Sequence, residues 1–499
     1  MVRINWRYIL NIAFVYASRC EPPRWLHAAS NHHRTLLTYT APASPIQRTH
    51  MSPHFATDPL ETYLAHDRTA TSPVPADPDP VSPFPGASAR IHRRIAERVD
   101  ALAPQLRQLA TELYEDPEIG FAEHRSAERI VTLVEANGIR VERGAFGLPT
   151  AFRATVGEGS GPHFGIIAEY DALPEIGHAC GHNIIAGTAV GAFLAASEHV
   201  SELGGRLSLI GTPAEENGGA KELIIQAGGF DDVDAAGMVH PSAGDEVSPV
   251  FGPGTSGVRR VRVTYHGRAS HAALSPYLGL NALDAAVTAY QSVAQLRQHM
   301  LPIDRVHGII TDGGSVPNVV PERASALFFV RSDEVDTLRV LTDRVIDALE
   351  GAALATGTRA EIDVDFVPPY LPLTQNVSLV KHWARHLESR GRAVPTVPVV
   401  ARSGGPSTDM GNVSQFIPAI HPSLGLGGDA DVLPHNAGFA DITVLDPAIA
   451  ALADGAVALA GISADYLADP GLRAAADAEF VASGGRRRWA ADRGPAIGQ

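Results

Sequence analysis

The stretch FGIIAEYDALPEIGHACGHNIIAGTAVGAFLAASEH, residues 164–199, decides the fold. A short apolar run predicts a buried strand over 163–169, and a long apolar run predicts a helix over about 183–199. Between them lies a polar loop that contains one of only two cysteines in the chain. Strands of this kind alternate with helices along the flanking sequence, which predicts an α/β sheet with functional loops at the carboxyl ends of its strands. The flanking segments are helices at 89–114, 123–137 and 219–227 and strands at 150–156, 206–212 and 235–240.

A different order of elements occupies the middle of the chain. The strand over 258–267 alternates apolar and polar residues with a period of two. The predicted order β-α-β-β-α-β is typical of a ferredoxin-like domain. The α/β pattern then resumes, with helices near 376–390 and 446–465, so we expect the chain to leave one domain, build a second one and return. The remaining segments of the insertion are 281–298, 306–311, 323–331, 334–355 and 361–366.

These patterns divide the chain into a first α/β domain and an inserted domain, for which the name lid is used below. We expect the first domain to comprise 88–253 and 371–468, and the lid to comprise 254–370. Residues 1–86 end in a stretch rich in Pro, Asp and Ser, which predicts a disordered extension and linker. Residues 469–499 are expected to form a flexible tail.

Composition excludes several classes of function. A net charge of −15 argues against a protein that binds nucleic acid. The sequence contains no uninterrupted run of about 18 apolar residues, the length that a membrane-spanning helix needs. We therefore expect no membrane partner. Cys20 lies in the poorly patterned extension, so Cys180 is expected to be a free thiol in a reducing, cytoplasmic compartment. The first 20 residues show only part of a signal-peptide pattern, and Met51 is an alternative start.

Polar residues with ligand chemistry follow the predicted strands one after another, and one more, His435, lies in a loop before the last long helix. If the sheet is doubly wound, these loops meet at one edge. Thiolate, imidazole and carboxylate groups are ligands of first-row divalent metals, and two such ions activate water for hydrolysis. One of two adjacent glutamates then ligates a metal while its neighbour serves as the general base. The residues concerned are Asp171, Cys180, His182, Glu215, Glu216, His240 and His435.

Each residue taken alone also has an ordinary structural explanation. A single histidine at a strand end is more often a satisfied loop residue, and a Glu–Glu pair is often a solvated helix N-terminus. A rival chemistry uses Cys180 as a nucleophile with His182 or His178 as its base. That alternative leaves Glu215, Glu216 and the later histidines without a role, so we favour the metal site.

Six motifs occur in this order along the chain: AEYDALPEIGHACGHN, GTPAEENGG, MVHP, GRASHAALSPYLGLNALDA, VPNVVPE and STDMGNVS. Together they resemble the amidohydrolase subfamily of the aminoacylase/carboxypeptidase metallopeptidases. The resemblance covers about residues 88–468, and the chain is similar in particular to aminobenzoyl-glutamate hydrolases and Xaa-Arg or β-alanyl-lysine dipeptidases. In this chain Glu169 stands where more distant branches have a histidine ligand.

The resemblance implies a role for each matching residue. It implies two bound divalent ions, Mn or Zn. It also implies a homodimer in which the lid pairs with the lid of a second copy. Glu215 corresponds to the general base, and Asp171 to an aspartate that orients a ligand. His271 corresponds to a lid histidine that stabilises the oxyanion in the partner's site, and Asn318 and Arg331 to lid positions that hold the substrate. The implied metal ligands are Cys180, His182, Glu216, His240 and His435, the last preferred over His421.

The sequence therefore predicts a metal-dependent amidohydrolase. Its expected substrate is a small N-acyl amino acid, an aminobenzoyl-glutamate-like compound or a dipeptide. Two alternatives stay open at this point: a catalytically inactive homologue that binds a metabolite, and the cysteine-nucleophile hydrolase.

Overall fold

A computed structural model describes residues 57–70, 79–397 and 405–489. The described chain forms two compact units. The first, here called the catalytic domain, contains residues 79–255 and 370–489, apart from the gap at 398–404. The second, here called the inserted domain, contains Ser256–Pro369 together with residues 57–70.

A mixed sheet of six strands forms the centre of the catalytic domain, and a separate pair of short strands extends the α/β pattern. The strands are β1 Val141–Arg143, β2 Phe152–Val156, β3 His163–Ala168, β4 Arg206–Gly211, β5 Ala235–Gly237, β6 His240–Ser242, β11 Ala419–Ile420 and β12 Ser423–Gly425. The order in the large sheet is β1-β2-β4-β3-β5-β11. The pairs β3–β4, β3–β5 and β5–β11 are parallel, whereas β1 and β2 are joined antiparallel at one edge. The separate pair is β6 with β12, which run parallel.

Helices pack on this sheet because their apolar residues recur at helical spacing. Ser88 caps the helix Ala89–Glu115 by accepting from the Ile91 amide, and its buried side chains recur every three to four residues. The helix His182–Ser197 is buried on almost all sides, as its uniformly apolar sequence predicts. The other helices are His124–Ala136, Val200–Leu203, Ala220–Gln226, Val377–Ser389, Met410–Ser414, Ala437–Ile442, Asp446–Ala468 and Pro470–Ala482, with a 3₁₀ turn at Ala145–Gly147.

Strand register determines where the functional loops begin. Ala168 at the end of β3 pairs with Gly211 at the end of β4, and Gly237 at the end of β5 pairs with Ile420 of β11. Because these strands are parallel, the residues that follow them leave the sheet at the same edge.

The inserted domain contains an antiparallel sheet of four strands. The strands are β7 Gly257–His266, β8 Arg305–Asp312, β9 Arg323–Ser332 and β10 Arg359–Val364, with 3₁₀ turns at Pro276–Leu278 and Arg297–His299. Their order in the sheet is β10-β7-β9-β8. Two helices, Ala282–Leu296 and Val335–Thr356, pack against it around a core of small and branched side chains. The element order is β-α-β-β-α-β, which confirms the ferredoxin-like prediction.

Both ends of the chain contain more structure than the sequence predicted. Within 1–86, predicted to be disordered, Leu60–Ala70 is a helix whose His66 Nδ1 lies 2.8 Å from Glu334 Oε1 in the inserted domain. Within 469–499, predicted to be a flexible tail, Pro470–Ala482 is a helix capped by Asp469. Residues 1–56, 71–78 and 490–499 lie outside the described residues, as does Cys20.

A buried carboxylate ties the start of the catalytic domain to its last long helix. The Asp465 side chain is fully buried and lies 2.7–2.8 Å from ring nitrogens of His92, His382 and His386. It also accepts from the Arg385 guanidinium and from the Ala87 amide. We call these residues the Asp465 cluster. Its short distances are those of direct hydrogen bonds.

The helix Asp446–Ala468, which carries Asp465, is long and apolar enough to cross a bilayer by length and composition. However, 78% of its most apolar window is buried inside the structure. This burial is what the central helix of a layered domain requires, since it packs against the helices 89–115, 182–197 and 377–389.

Candidate metal centre

The predicted site residues follow the carboxyl ends of the parallel strands. Glu169 and Asp171 come directly after β3, and Glu215 and Glu216 come shortly after β4. His240 begins β6, three residues after the end of β5. The loop between β3 and the next helix supplies His178 and Cys180, and His182 is the first residue of that helix.

Asp171 fixes the orientation of His182. Its Oδ1 lies 3.0 Å from His182 Nδ1, and both side chains are buried. Burial disfavours a charged ring, yet the Asp171 carboxylate outweighs it and raises the pKa of His182. The other oxygen, Oδ2, accepts from the Glu216 amide at 3.0 Å. Because Nδ1 donates to Asp171, Nε2 is the nitrogen left to bind a metal ion, which takes the place of the Nε2 proton.

A backbone carbonyl orients His240 in the same way. His240 Nδ1 lies 2.8 Å from the Pro241 carbonyl oxygen, and Nε2 lies 3.5 Å from Cys180 Sγ. Burial lowers the pKa of His240, so the ring is neutral at ordinary pH. A neutral imidazole with a free Nε2 beside a sulfur atom is a pair of metal ligands rather than a charged pair.

The remaining predicted ligands meet around Glu216. Its Oε1 lies 3.9 Å from His182 Nε2, and its Oε2 lies 3.5 Å from His435 Nε2. His435 is the exposed member of the group, and its hydrogen bond with Glu216 raises its pKa. The ligand atoms of each of three overlapping sets lie within 4.8 Å of one another, so all five predicted ligands lie together. The sets are Cys180–His182–His240, Cys180–Glu216–His435 and His182–Glu215–Glu216.

The spacing of these atoms fits bound cations. Several of the ligand atoms are 3.5–3.9 Å apart, and Zn–N and Zn–S bonds of about 2.0–2.3 Å put two ligands of one ion at such a separation. Among the described residues, His182 Nε2 and Glu216 Oε1 are buried atoms without a hydrogen-bond partner. Burying a polar atom without a hydrogen-bond partner costs free energy unless a bound ion or molecule interacts with that atom. The set of sulfur, nitrogen and oxygen donors therefore fits a centre of first-row divalent ions.

Glu215 occupies a buried position beside this cluster. Its Oε2 lies 3.9 Å from His182 Nε2, and its side chain retains a small exposed area. Burial and the nearby carboxylate of Glu169 raise the pKa of Glu215 well above its usual range. The loop is held from both sides, because the Tyr370 hydroxyl donates to the Glu215 carbonyl and the Ala214 amide donates to Glu123 Oε1 at 2.8 Å.

The rival cysteine chemistry has no support in this geometry. Burial raises the pKa of the Cys180 thiol, whereas a nucleophilic cysteine needs a lowered one. Burial also lowers the pKa of His178 to about 3, and both its ring nitrogens lack partners among the described residues. The thiol therefore needs a cation to become a thiolate.

The three predicted lid residues belong to the inserted domain. His271 and Asn318 lie side by side: His271 forms a bridge with Val319, and the Ala272 amide donates to the Asn318 carbonyl at 3.0 Å. Arg331 lies at the other end of β9, eight residues from Arg323, which corresponds to about 26 Å along a strand. One inserted domain therefore does not bring Arg331 to the same place as Asn318.

Sequence reasoning missed three residues that contact or adjoin the cluster. Lys221 is buried between Glu169 and Asp409, and Glu123 is buried beside Asp171. Burial and the Asp171 carboxylate raise the pKa of Glu123 to about 8. The one available signal was the scarcity of lysine, which marks Lys221 as unusual. The third residue is Asp409, which lies in the motif STDMGNVS.

The fold and the cluster together define a class of protein. An α/β domain that gathers a thiol, three imidazoles and two carboxylates at its strand ends, with an inserted ferredoxin-like domain, is a metal-dependent hydrolase. Residues 253–357 match the family model described as a peptidase dimerisation domain. The chain is 36% identical over 367 residues to the Xaa-Arg dipeptidase of Mus musculus, covering 70% of this chain and 84% of that relative. This chain therefore belongs to the M20 peptidase family and is an amidohydrolase that acts on C–N bonds.

Further relatives agree with this assignment. A p-aminobenzoyl-glutamate hydrolase protein of Escherichia coli (strain K12) is 34% identical over 303 residues, covering 56% of this chain and 62% of that relative. A dinuclear metal-binding M20 peptidase of Bacillus subtilis superposes with a TM-score of 0.55 at 20% identity, covering 73% of this chain and 99% of that one. The aminobenzoyl-glutamate utilization protein of Klebsiella pneumoniae gives a TM-score of 0.58 at 19% identity, covering 74% and 98%. These structures share the predicted fold.

Proposed function

We propose that this protein is a two-metal dipeptidase or N-acyl-amino-acid hydrolase that works as a homodimer in the cytoplasm. The observation that carries the proposal is the convergence of five ligand residues beside Glu215. The names of its relatives, an Xaa-Arg dipeptidase and an aminobenzoyl-glutamate hydrolase, support a small amide substrate with a free carboxylate. The buried free thiol of Cys180 is consistent with a reducing compartment.

The proposed ligands of two divalent ions, Mn or Zn, are Cys180, His182, Glu216, His240 and His435. When bound, such ions polarise the scissile carbonyl and lower the pKa of water to about 7. A cysteine ligand favours Zn, whereas carboxylate-rich surroundings also suit Mn.

Glu215 is the proposed proton carrier. Its carboxyl group lies beside the proposed ligands, and its raised pKa suits a group that accepts a proton from water and then gives it to the leaving amine nitrogen. Tyr370 and Glu123 hold the loop that carries it, so the carboxyl group needs little reorganisation during the reaction. Asp171 keeps the imidazole of His182 in one tautomer throughout.

His271 is in the tautomer that an oxyanion donor needs. Its Nδ1 accepts from the amides of Ala273 and Leu274 at 3.2 and 3.0 Å, so the ring proton lies on Nε2. The side chain is exposed, and this N–H is available to the oxygen that becomes negative during acyl transfer.

The separation of Arg331 from Asn318 supports a dimeric site. If both residues contact one substrate, as the family resemblance implies, they come from two different protomers, because Asn318 lies beyond the Arg323 end of β9 and Arg331 lies at the other end, about 26 Å from Arg323. The inserted domain also offers a pairing surface. Strand β8 forms an edge of its sheet, and the side chains of its neighbouring residues Ile309 and Ile310 are both exposed. Edges of this kind are templates for pairing with another chain.

Metal analysis and a substrate panel test the proposal. Purified protein is loaded with Mn²⁺ or Zn²⁺, and hydrolysis of Xaa-Arg dipeptides, N-acetyl amino acids and aminobenzoyl-glutamate is measured. We expect two ions per chain, turnover of at least one of these compounds and loss of activity with a chelator. A folded chain that binds no metal and hydrolyses none of them would instead be the inactive, metabolite-binding homologue.

The variant Glu215→Gln isolates the proton carrier. It keeps the shape of the side chain but removes its basicity, so we expect two bound ions and a kcat lower by roughly 10²–10⁴-fold. Circular dichroism and metal content serve as controls. Turnover close to that of the unmodified protein would remove Glu215 from the mechanism.

A further inference from the structure

Lys221 is one of only two lysines in the 499 residues, and its side chain is fully buried. Its Nζ donates to Glu169 Oε1 and, at 2.7 Å, to Asp409 Oδ1. Its backbone amide donates to Asp409 Oδ2 at 3.1 Å. A buried lysine is normally expensive, so its carboxylate partners must offset the cost of removing the ammonium from water.

The partners of Lys221 form a set of carboxylates next to the proposed proton carrier. Oxygens of Glu169, Glu215 and Asp409 lie within 4.8 Å of one another, and all three side chains are buried. We call these three residues the carboxylate cage. Three buried carboxylates at this spacing repel one another strongly without a cation. The ammonium of Lys221 supplies that cation from the chain itself.

The cage joins three elements that carry the site. Glu169 directly follows β3, two residues before Asp171, and Asp409 precedes the short helix Met410–Ser414. Lys221 lies in the first turn of the helix Ala220–Gln226, whose own link to the short helix is the hydrogen bond from Asn412 Nδ2 to Glu222 Oε2 at 2.8 Å. Through Lys221, the end of β3 is therefore bound to both helices.

The free oxygen of Glu169 faces the metal cluster. Glu169 Oε2 lies 3.7 Å from His182 Nε2 and has no hydrogen-bond partner among the described residues. Because Lys221 binds the other oxygen, this carboxylate has a fixed orientation and a compensated charge. Without the lysine, Glu169 and Asp409 would be free to turn toward other cations or away from each other.

We propose that Lys221 is a positioning residue for the hydrolytic reaction. Its ammonium holds the carboxylate cage in place and thereby fixes the surroundings of Glu215, without touching substrate. The inference rests on the proposed role of Glu215. It concerns geometry around the base, so it predicts an effect on kcat rather than on substrate binding.

The test compares Lys221→Met with Lys381→Met, which changes the only other lysine, a partly exposed residue near Phe251. Met keeps the length of the side chain but removes its charge. We expect Lys381→Met to match the unmodified protein. For folded Lys221→Met we expect two bound ions, a KM within about threefold and a kcat lower by about 10²-fold, the loss that small displacements of catalytic groups produce.

A double variant separates positioning from stability. Lys221→Met with Asp409→Asn removes one positive and one negative charge, so it is expected to regain much of the melting temperature lost by Lys221→Met. If Lys221 positions the cage, kcat stays low in the double variant. This variant also decides the matter if Lys221→Met does not fold.

Two results would overturn the inference: a kcat for folded Lys221→Met within threefold of that for Lys381→Met, or a kcat for the double variant that recovers together with its melting temperature. These two results differ from a failure of the proposed function. In that case the unmodified protein itself would hydrolyse none of the dipeptides, N-acetyl amino acids or aminobenzoyl-glutamate in the substrate panel. Glu215→Gln, measured alongside, shows whether the base itself contributes.

Discussion

Asp171→Asn tests how the second layer of the site holds its ligands. The aspartate accepts two hydrogen bonds, one from His182 Nδ1 and one from the Glu216 amide, each at 3.0 Å. Asparagine has nearly the same shape but only one accepting oxygen. Its NH₂ group therefore faces one of the two donors, and that hydrogen bond is lost.

The size of the effect follows from this loss. A hydrogen bond to a charged group contributes about 1.5–3 kcal/mol, which corresponds to about 10–150-fold in a binding constant. Because both donors belong to proposed metal ligands, we expect the loss to appear in metal affinity, in line with the roughly 10–100-fold cost of altering residues that orient ligands. Activity should return at high metal concentration, since Glu215 is unchanged.

The assay titrates metal-free protein with Mn²⁺ by calorimetry and follows activity against free Mn²⁺. Asp454→Asn is the matched control. Asp454 is a largely buried aspartate that accepts hydrogen bonds from Arg390 and Arg392, each at 2.8 Å, and it is none of the proposed ligands or their partners. We expect that variant to lose stability but not metal affinity. A dissociation constant for folded Asp171→Asn within threefold of the unmodified protein would refute the reasoning.

Three further predictions address other parts of the molecule. Cys180→Ser replaces a soft ligand by a hard one, so Zn²⁺ affinity should fall more than about 10-fold and more steeply than Mn²⁺ affinity in competition titrations; equal losses would contradict a sulfur ligand. Burial lowers the pKa of His386, and the histidine donors lower the pKa of Asp465, so both groups favour the folded state at pH values above their unfolded pKa values. The free energy of unfolding, measured in urea, should therefore decline as the pH falls below about 6.5, the unfolded pKa of histidine. A free energy of unfolding that stays constant from pH 7 to 5 would contradict this prediction. Ile309→Lys with Ile310→Lys charges the edge of β8 and should give monomers by light scattering with little change in melting temperature, whereas a persistent dimer would place the interface elsewhere.

Periodic apolar patterns made most of the fold predictable. The helix expected over 89–114 spans Ala89–Glu115, and the strand expected over 163–169 spans His163–Ala168. The strand expected over 235–240 is instead two short strands, because His240 begins a pairing with β12 outside the main sheet. Local pattern does not specify which partner a strand will choose.

Two of the helices that were missed, Leu60–Ala70 and Pro470–Ala482, lack such patterns. Pro470–Ala482 buries only Leu472 and Ala476 of its side chains, so its sequence carries no clear apolar face. The helix Leu60–Ala70 is held by polar contacts such as that of Tyr63 with Arg344, 281 positions away. Contacts at this separation leave no local trace in the sequence.

The residues of the candidate site also fall into a group that the sequence predicted and a group that it did not. The five proposed ligands were predictable because metal chemistry restricts which residues serve and because strand ends bring them together. The carboxylate cage was not, because Lys221 lies outside the recognised motifs and meets Asp409 across 188 positions. The opposite placement of Asn318 and Arg331 also needed the register of β9.

The Asp465 cluster has a consequence for how the protein is made. His92 and Ala87 are synthesised early, but the carboxylate that completes their hydrogen bonds comes 373 and 378 residues later. At about 5–20 residues per second, a nascent chain waits roughly 20–75 s for that contact. The inserted domain closes within Ser256–Pro369 and helix Leu60–Ala70 and is complete well before then. The first half of the catalytic domain therefore leaves the ribosome before the helix that carries Asp465 can cover its apolar faces.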